Sequence, residues 1–211
     1  MRVTKEHEER RNEILDTAQK LFYTKGYIKT TINDILKEIG IAKGTFYYYF
    51  KSKEEVMHAI INRIVDHDLV IAQRIAADPD LDVKSKLLKI LLSQGQEANG
   101  EDPKKELTEQ FQQPGNEVMH QQTLAIIIRR LSPVLAEVTQ QGVDEGLFHV
   151  ERVQETIEFL LAGVEFIFDI GMFQWTDEEK MNRVLAFLDL MERALGAEKG
   201  SFSYLISIFM Q

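Results

Sequence analysis

The sequence predicts an all-α protein with a short helical front and a longer helical body. Three observations carry this. Apolar residues recur at spacings of three and four along most of the chain, only 4 prolines interrupt 211 residues, and alternating apolar–polar runs are few. Glycine, proline and asparagine fall mainly between the periodic stretches, where they end one helix and start the next.

The first helix is expected from Lys5 to Lys25, with Ile14, Leu15, Ala18, Leu21 and Phe22 as its apolar stripe and Gly26 as its stop. Arg10 and Arg11 lie beside Glu6, Glu8 and Glu9, a pattern that reads as a solvated ion-paired face, with contact to phosphate as the alternative. The second helix starts at Thr31, whose hydroxyl suits a free backbone N–H. Asp34 complements the positive end of the helix dipole, and Ile32, Ile35, Leu36 and Ile39 face inward. Gly40 permits the left-handed turn that follows, and a helix of about two turns restarts near Ala42 or Lys43.

At 100° per residue this third helix sets Ala42, Phe46, Tyr49 and Phe50 on one side and Gly44, Tyr47 and Tyr48 on the other, with Lys43 and Thr45 at the margins. The first set is core. The second is unusually aromatic and polar for a solvated face. Gly44 inside a helix costs roughly 1 kcal/mol against alanine, a cost that close approach of another backbone, here that of DNA, would explain. Two short helices around a glycine turn form the pattern of a helix-turn-helix DNA reader. Ser52 then caps a helix with Glu54 and Glu55 in its first turn. Lys53 at that cationically unfavourable end would be explained by a phosphate partner.

The helix from about Ser52 to Ala77 is closed by Asp78-Pro79-Asp80 and would span roughly 36 to 39 Å, long enough to link a reading domain at residues 1–52 to a body at 53–211. The body reads as helices over Val83 to Gln96, Pro103 to Gln112, Glu117 to Gly142 with a kink or break at Ser132-Pro133, Val150 to Phe173, and Asp177 to Leu195. Loops are expected at Asn99 to Asp102 and Gln113 to Asn116. The apolar tail Phe202 to Met210 has three readings: cover for a pocket, extension of an interface, or packing on the body.

The stretch from Ile157 to Trp175 is apolar on most sides, and Leu185, Phe187, Leu188, Leu190 and Met191 give the last helix a similar excess. Such helices need two partners rather than one. Glu158, Glu165 and Asp169 interrupt the run, so no membrane span is expected. Glu155, Glu158, Glu165 and Asp169 share one helix face, read as a solvated face or as an acid inside a pocket for a cationic ligand.

The net charge of −9 argues against nucleic-acid binding by the chain as a whole, but the charge is polarised. Residues 1–65 hold 12 Lys and Arg against 9 Asp and Glu, whereas the rest hold 13 against 25. A basic front can therefore face DNA while the acidic body faces away. With 0 cysteines there are no disulfides and no thiolate sites, and the opening residues lack an apolar signal-peptide region, so a cytoplasmic location is expected. There is no nucleophile elbow, phosphate loop or zincin motif, and the histidines at 7, 58, 67, 120 and 149 lack ligand spacing. No enzyme activity, metal or cofactor is expected.

Between Glu8 and Ile60, and most specifically over Gly40-Ile-Ala-Lys-Gly-Thr-Phe-Tyr-Tyr-Tyr-Phe-Lys-Ser-Lys-Glu-Glu55, the chain resembles the tetracycline-repressor (TetR) family of bacterial transcription regulators. The resemblance implies that Thr31, Lys43, Gly44, Thr45, Tyr47, Tyr48 and Lys53 lie at a DNA surface, with Thr31, Tyr47 and Lys53 on phosphates and Lys43, Thr45 and Tyr48 nearer base edges. Ala42 departs from the serine common in the family and removes a side-chain cap. The resemblance further implies a homodimer through the helices at about 150–173 and 177–195, using Phe159, Gly163, Phe166, Ile167, Ile170, Leu188 and Met191. It also implies a small-molecule effector pocket in the body. Candidate lining residues are Phe111, His120, Thr123, Leu124, Ile127 and Glu165, with Gln110, Gln113, Asn116, Met119 and Gln121 nearby. The expected function is a repressor released from a palindromic double-stranded operator by its effector. The rival reading is a helical adaptor that binds proteins and has no sequence-specific DNA affinity.

Overall fold

The computed structural model describes residues 2–93, 115–169 and 172–209, with the side chains of 2–6 and 207 left aside. Every regular element among them is helical: α1 (Arg2–Lys25), α2 (Ile32–Ile39), α3 (Lys43–Tyr49), α4 (Lys53–Ala76), α5 (Val83–Ser93), α6 (Glu117–Asp144), α7 (Val153–Ile167), α8 (Asp177–Leu195), a 3-10 turn (Ser203–Leu205) and α9 (Ile206–Phe209). The expected helix Pro103 to Gln112, the loop Asn99 to Asp102 and the candidates Gln110, Phe111, Gln113 and Ile170 lie outside the described residues.

The chain packs as two compact units. The first contains the described residues up to Val65 together with 115–123, and the second contains 66–93, 124–169 and 172–209. The division by packing thus falls inside α4 rather than at residue 52. The reason is burial: Val56, Met57, Ile60 and Ile61 are lost to solvent, as are Ile14, Leu15, Ala18 and Phe22 of α1, Ile35 of α2 and Phe46 and Phe50 around α3. Burial of this kind contributes roughly 1.5 to 3 kcal/mol per large residue before entropy is counted.

Residues 115–116 belong to this first unit for a stated reason. The Ile28 N–H donates to the Gly115 carbonyl at 3.2 Å, and the Tyr27 N–H donates to the fully buried Asn116 Oδ1 at 2.7 Å. Asn116, considered above as a pocket lining residue, instead holds the turn that follows α1.

In the second unit α6 runs on through Pro133 as one helix, so of the expected kink or break the break is absent. A proline inside a helix costs about 3 kcal/mol. Leu131, Val134, Leu135 and Val138 around it are all buried, and their burial outweighs that cost. Ser132 is also buried, and its hydroxyl accepts from Gln154 Nε2 at 3.0 Å.

Helix α7 ends at Ile167, six residues short of the expectation. The Met172 N–H donates to the Asp169 carboxylate and carbonyl, both at 3.1 Å, a local turn that competes with helix continuation. Asp169 therefore lies beyond the helix and shares no helix face with Glu155, Glu158 and Glu165. Helix α8 has the bounds read from the sequence. Thr176 and Glu179 form a reciprocal capping box at its start, and Gly196 ends it in the left-handed region at φ 60°.

The tail packs on the body. Phe202 and Leu205 join the core, Phe202 stacks on Phe148 at 5.7 Å, and Phe209 covers Phe168 at 4.9 Å.

Candidate nucleic-acid interface

Helix α2 is fixed at both ends. The Asp34 N–H donates to Thr31 Oγ1 at 3.2 Å, while the Thr31 N–H and hydroxyl both donate to Asp34 Oδ2 at 2.7 Å. Gly40, at φ 77°, directs its N–H to the Leu36 carbonyl at 2.9 Å and turns the chain toward α3. Lys25 at the end of α1 pairs with the same Asp34 carboxylate at 2.8 Å. That ammonium, with the Thr31 donors, holds Asp34 far below the ordinary aspartate range.

A depressed folded pKa gives stability that is complete above the unfolded pKa and is lost as pH falls toward the folded one. Wild type should therefore hold its full advantage over Asp34→Asn at pH 6 and lose it progressively below about pH 4. Thermal melts of the pair across that range check this; a constant gap at every pH would remove the charge from the account.

Helix α3 presents the two faces expected, with one correction. Phe46 and Phe50 are buried and anchor it, while Lys43, Gly44, Tyr47 and Tyr48 are exposed, Tyr48 at 72%. Thr45 is half-buried at the margin. Ala42 is exposed rather than core, because it is the residue before the helix, extended at φ −73° and ψ 151°, and outside the helical period. It supplies no side-chain cap. Lys43 Nζ sits 5.8 Å from the centre of the Tyr47 ring, so cation and aromatic share one surface. A methyl group placed on Gly44 would meet nothing of the chain itself within 4 Å. The folded protein thus has no internal use for glycine at this position.

Two expected phosphate contacts are already engaged within the chain. The Thr31 hydroxyl caps α2, leaving only acceptor capacity outward. Lys53 Nζ donates to the carbonyls of Tyr27 at 2.6 Å, Thr30 at 2.9 Å and Ile28 at 3.4 Å, and lies 4.2 Å from the centre of the Tyr27 ring. Its three protons match three carbonyls. Desolvation in this cage lowers its pKa, a shift that nearby Glu54 opposes. Lys53 thereby ties the turn before α2 to the start of α4, the opposite of a side chain extended toward a phosphate. Lys53→Met should cost about 2 to 3 kcal/mol in denaturant unfolding, since hydrogen bonds to a charged donor are lost. Unchanged stability with weakened DNA binding would restore the phosphate role.

Sequence spacing did not single out His7 for this site. Its ring lies 5.5 Å from that of Tyr48 and 4.6 Å from that of Tyr49. The link joins α1 to α3 across about forty residues, and no local pattern announces it.

The second unit carries an uncovered apolar face. On α7, Phe159 is 80% exposed, with Phe166 and Ile167 also exposed; on α8, Leu185 and Leu190 are exposed. Between the helices runs a groove of about 490 Å³, lined by Thr156, Phe159, Gly163, Leu190 and Ala194 among others, with Arg183 the one charged group among its described lining residues. Gly163 opens onto free space. Leu188 and Met191, expected on this face, are buried in the unit's own core, because α8 is apolar on two sides and they occupy the inner one.

Of the described effector candidates, His120 and Thr123 belong to the first unit and Leu124, Ile127 and Glu165 to the second, the division falling within α6 between Thr123 and Leu124. Thr123 is buried, with its hydroxyl donated to the Met119 carbonyl at 2.9 Å, so it offers no free donor to a ligand. Ile127 packs against the core of the second unit.

The front of this geometry matches a family model described as bacterial regulatory proteins, tetR family, over residues 14–60. A second model, the tetracyclin repressor-like C-terminal domain, matches residues 101–190. The chain belongs to the TetR family.

Relatives align over only part of this chain. An uncharacterized HTH-type transcriptional regulator in the lacX 3′ region of Lactococcus lactis subsp. lactis is 49% identical over 55 residues, 26% of this chain and 28% of that protein. The HTH-type transcriptional regulator TtgR of Pseudomonas putida is 28% identical over 91 residues, 43% of each chain. The chain thus spans well under half the length of the curated relatives it matches. Solved structures extend the likeness in fold to nearly the whole chain. A TetR/AcrR-family regulator from Thermobifida fusca has a TM-score of 0.57 at 24% identity, covering 92% of this chain and 98% of its own. RolR in complex with resorcinol has a TM-score of 0.59 at 16% identity, covering 99% and 96%. Among the described residues no helix is long and apolar enough to cross a membrane, and no group of His, Cys, Asp and Glu could hold a metal ion.

Proposed function

We propose that this TetR-family chain is a homodimeric transcription regulator that reads a palindromic DNA operator through α3 and releases it when a small molecule binds the body. The observation that carries the reading is the outer face of α3: Lys43, Gly44, Tyr47 and Tyr48 are exposed on a helix anchored by Phe46 and Phe50, and Gly44 has no internal role. A cation and phenolic hydroxyls suit phosphates and base edges, and a glycine admits the sugar-phosphate backbone. Two such helices related by a twofold axis would read half-sites about 34 Å apart.

The uncovered face of α7 and α8 is the proposed dimer contact. Phe159, Gly163, Phe166 and Ile167 contribute from α7, with Leu185 and Leu190 from α8. Effector response draws on RolR, a protein of the same fold solved with resorcinol. For release, the effector must prefer the operator-incompetent form by about 5.5 kcal/mol to move a 99:1 population to 1:99.

Gly44→Ala tests the reading because the two effects have opposite signs. Alanine should leave the free protein as stable or raise it by up to about 1 kcal/mol, while weakening operator binding through the added methyl. Melting and duplex titration of the same variant measure both. Unimpaired binding would mean that no DNA backbone approaches Gly44.

A further inference from the structure

Tyr48 is the most exposed ring on the reading helix, at 72%, and a phenol projecting into solvent normally samples several rotamers. Here two rings flank it. Tyr49 meets it edge-on at 5.0 Å with an interplanar angle of 89°, and His7 meets it at 5.5 Å and 75°. Both geometries are the edge-to-face arrangement that aromatic quadrupoles favour. His7 also tilts against Tyr49 at 4.6 Å, so the three rings form one cluster in which α1 supplies one member and α3 two. Tyr49 is itself half-buried, next in sequence to the buried anchor Phe50.

We propose that His7 is a positioning residue for DNA recognition: it touches the reading helix from α1, holds the Tyr48 ring in one orientation and so pre-orders the hydroxyl that meets the operator. This rests on the DNA-reading function proposed above. Pre-ordering removes rotamer entropy that would otherwise be lost on binding, so its effect falls on operator affinity and not on folding. His7 stands near the start of a helix whose inner stripe begins at Ile14, and its removal takes nothing from the buried core.

The test is a double-substitution cycle read by duplex titration at fixed salt. His7→Ala should weaken operator binding about 3- to 10-fold with an unchanged melting temperature, and His7→Phe should restore most of the loss, because the edge contact needs a ring. In a Tyr48→Ala background, His7→Ala should have no further effect. In the DNA-free protein, His7→Ala should shift the Tyr48 ring resonances while His7→Phe keeps them near their wild-type positions. Equal losses in His7→Ala and His7→Phe, additive with Tyr48→Ala, would overturn the proposal in favour of a direct phosphate contact by the imidazole. Wild-type affinity in His7→Ala would overturn it while leaving the DNA reader intact. A wild-type protein that binds no duplex would overturn both.

Discussion

Gly196→Ala is expected to destabilise the body by roughly 2 to 5 kcal/mol. Two costs coincide at this position. Gly196 ends α8 in the left-handed region, φ 60° and ψ 33°, where a Cβ costs about 1 to 2 kcal/mol. A Cβ there would also stand 2.5 Å from the His149 carbonyl oxygen and 2.9 Å from the His149 Cβ. The backbone at His149 cannot yield cheaply, since its N–H donates to the Leu195 carbonyl at 2.8 Å and its neighbour Phe148 is stacked on Phe202 in the core. Gly142 makes the contrast: a methyl there would press into the Phe148 ring, but it stands in the last turn of α6 with an ordinary helical backbone, where alanine carries no left-handed strain. Denaturant unfolding of Gly196→Ala measures the loss, and a cost under 1 kcal/mol would mean that the 148–149 segment is free to move.

Phe159→Asp is expected to abolish dimerisation without harming the protomer. At 80% exposure the phenylalanine contributes little to its own fold. In a twofold interface each substitution counts twice, so two buried rings are lost, each of about 1.5 to 3 kcal/mol, and two carboxylates meet an apolar groove in which the charged Arg183 already lies 3.3 Å from the centre of the Trp175 ring. The monomer retains one reading helix, so operator affinity should drop by about 100-fold or more. Sedimentation equilibrium gives the mass and a melt gives the stability. A variant that stays dimeric would place the interface elsewhere, and one that unfolds would show that Phe159 belongs to the core.

These two residues illustrate what a sequence discloses. Helix α2 was legible in full because Thr31, Asp34 and Gly40 lie within ten residues and their roles are local backbone chemistry. The faces of α3 followed from helical periodicity, except at Ala42, which precedes the helix and escapes its period. The excess apolar character of α7 and α8 was also legible. Which residues of α8 face inward was not, because both of its sides are apolar and only the packed core assigns Leu188 and Met191 to the interior. The end of α7 was misplaced for a related reason: Phe173 and Trp175 continue the apolar pattern, yet they stack on each other at 5.0 Å in a loop, and the Trp175 indole N–H returns to the Ile167 carbonyl at 2.8 Å. Lys53 looked like a phosphate ligand because its carbonyl partners stand more than twenty residues earlier. His7 was invisible for the same reason.

The most direct test of the central claim is selection from a random duplex pool by the purified protein at a stated salt concentration, since phosphate contacts make affinity depend on salt. The account predicts recovery of a palindrome whose half-sites are one helical turn, or a multiple, apart. No enrichment even at low salt, from protein stripped of bound small molecules, would contradict it and favour a helical adaptor that binds proteins through the exposed face of α7 and α8.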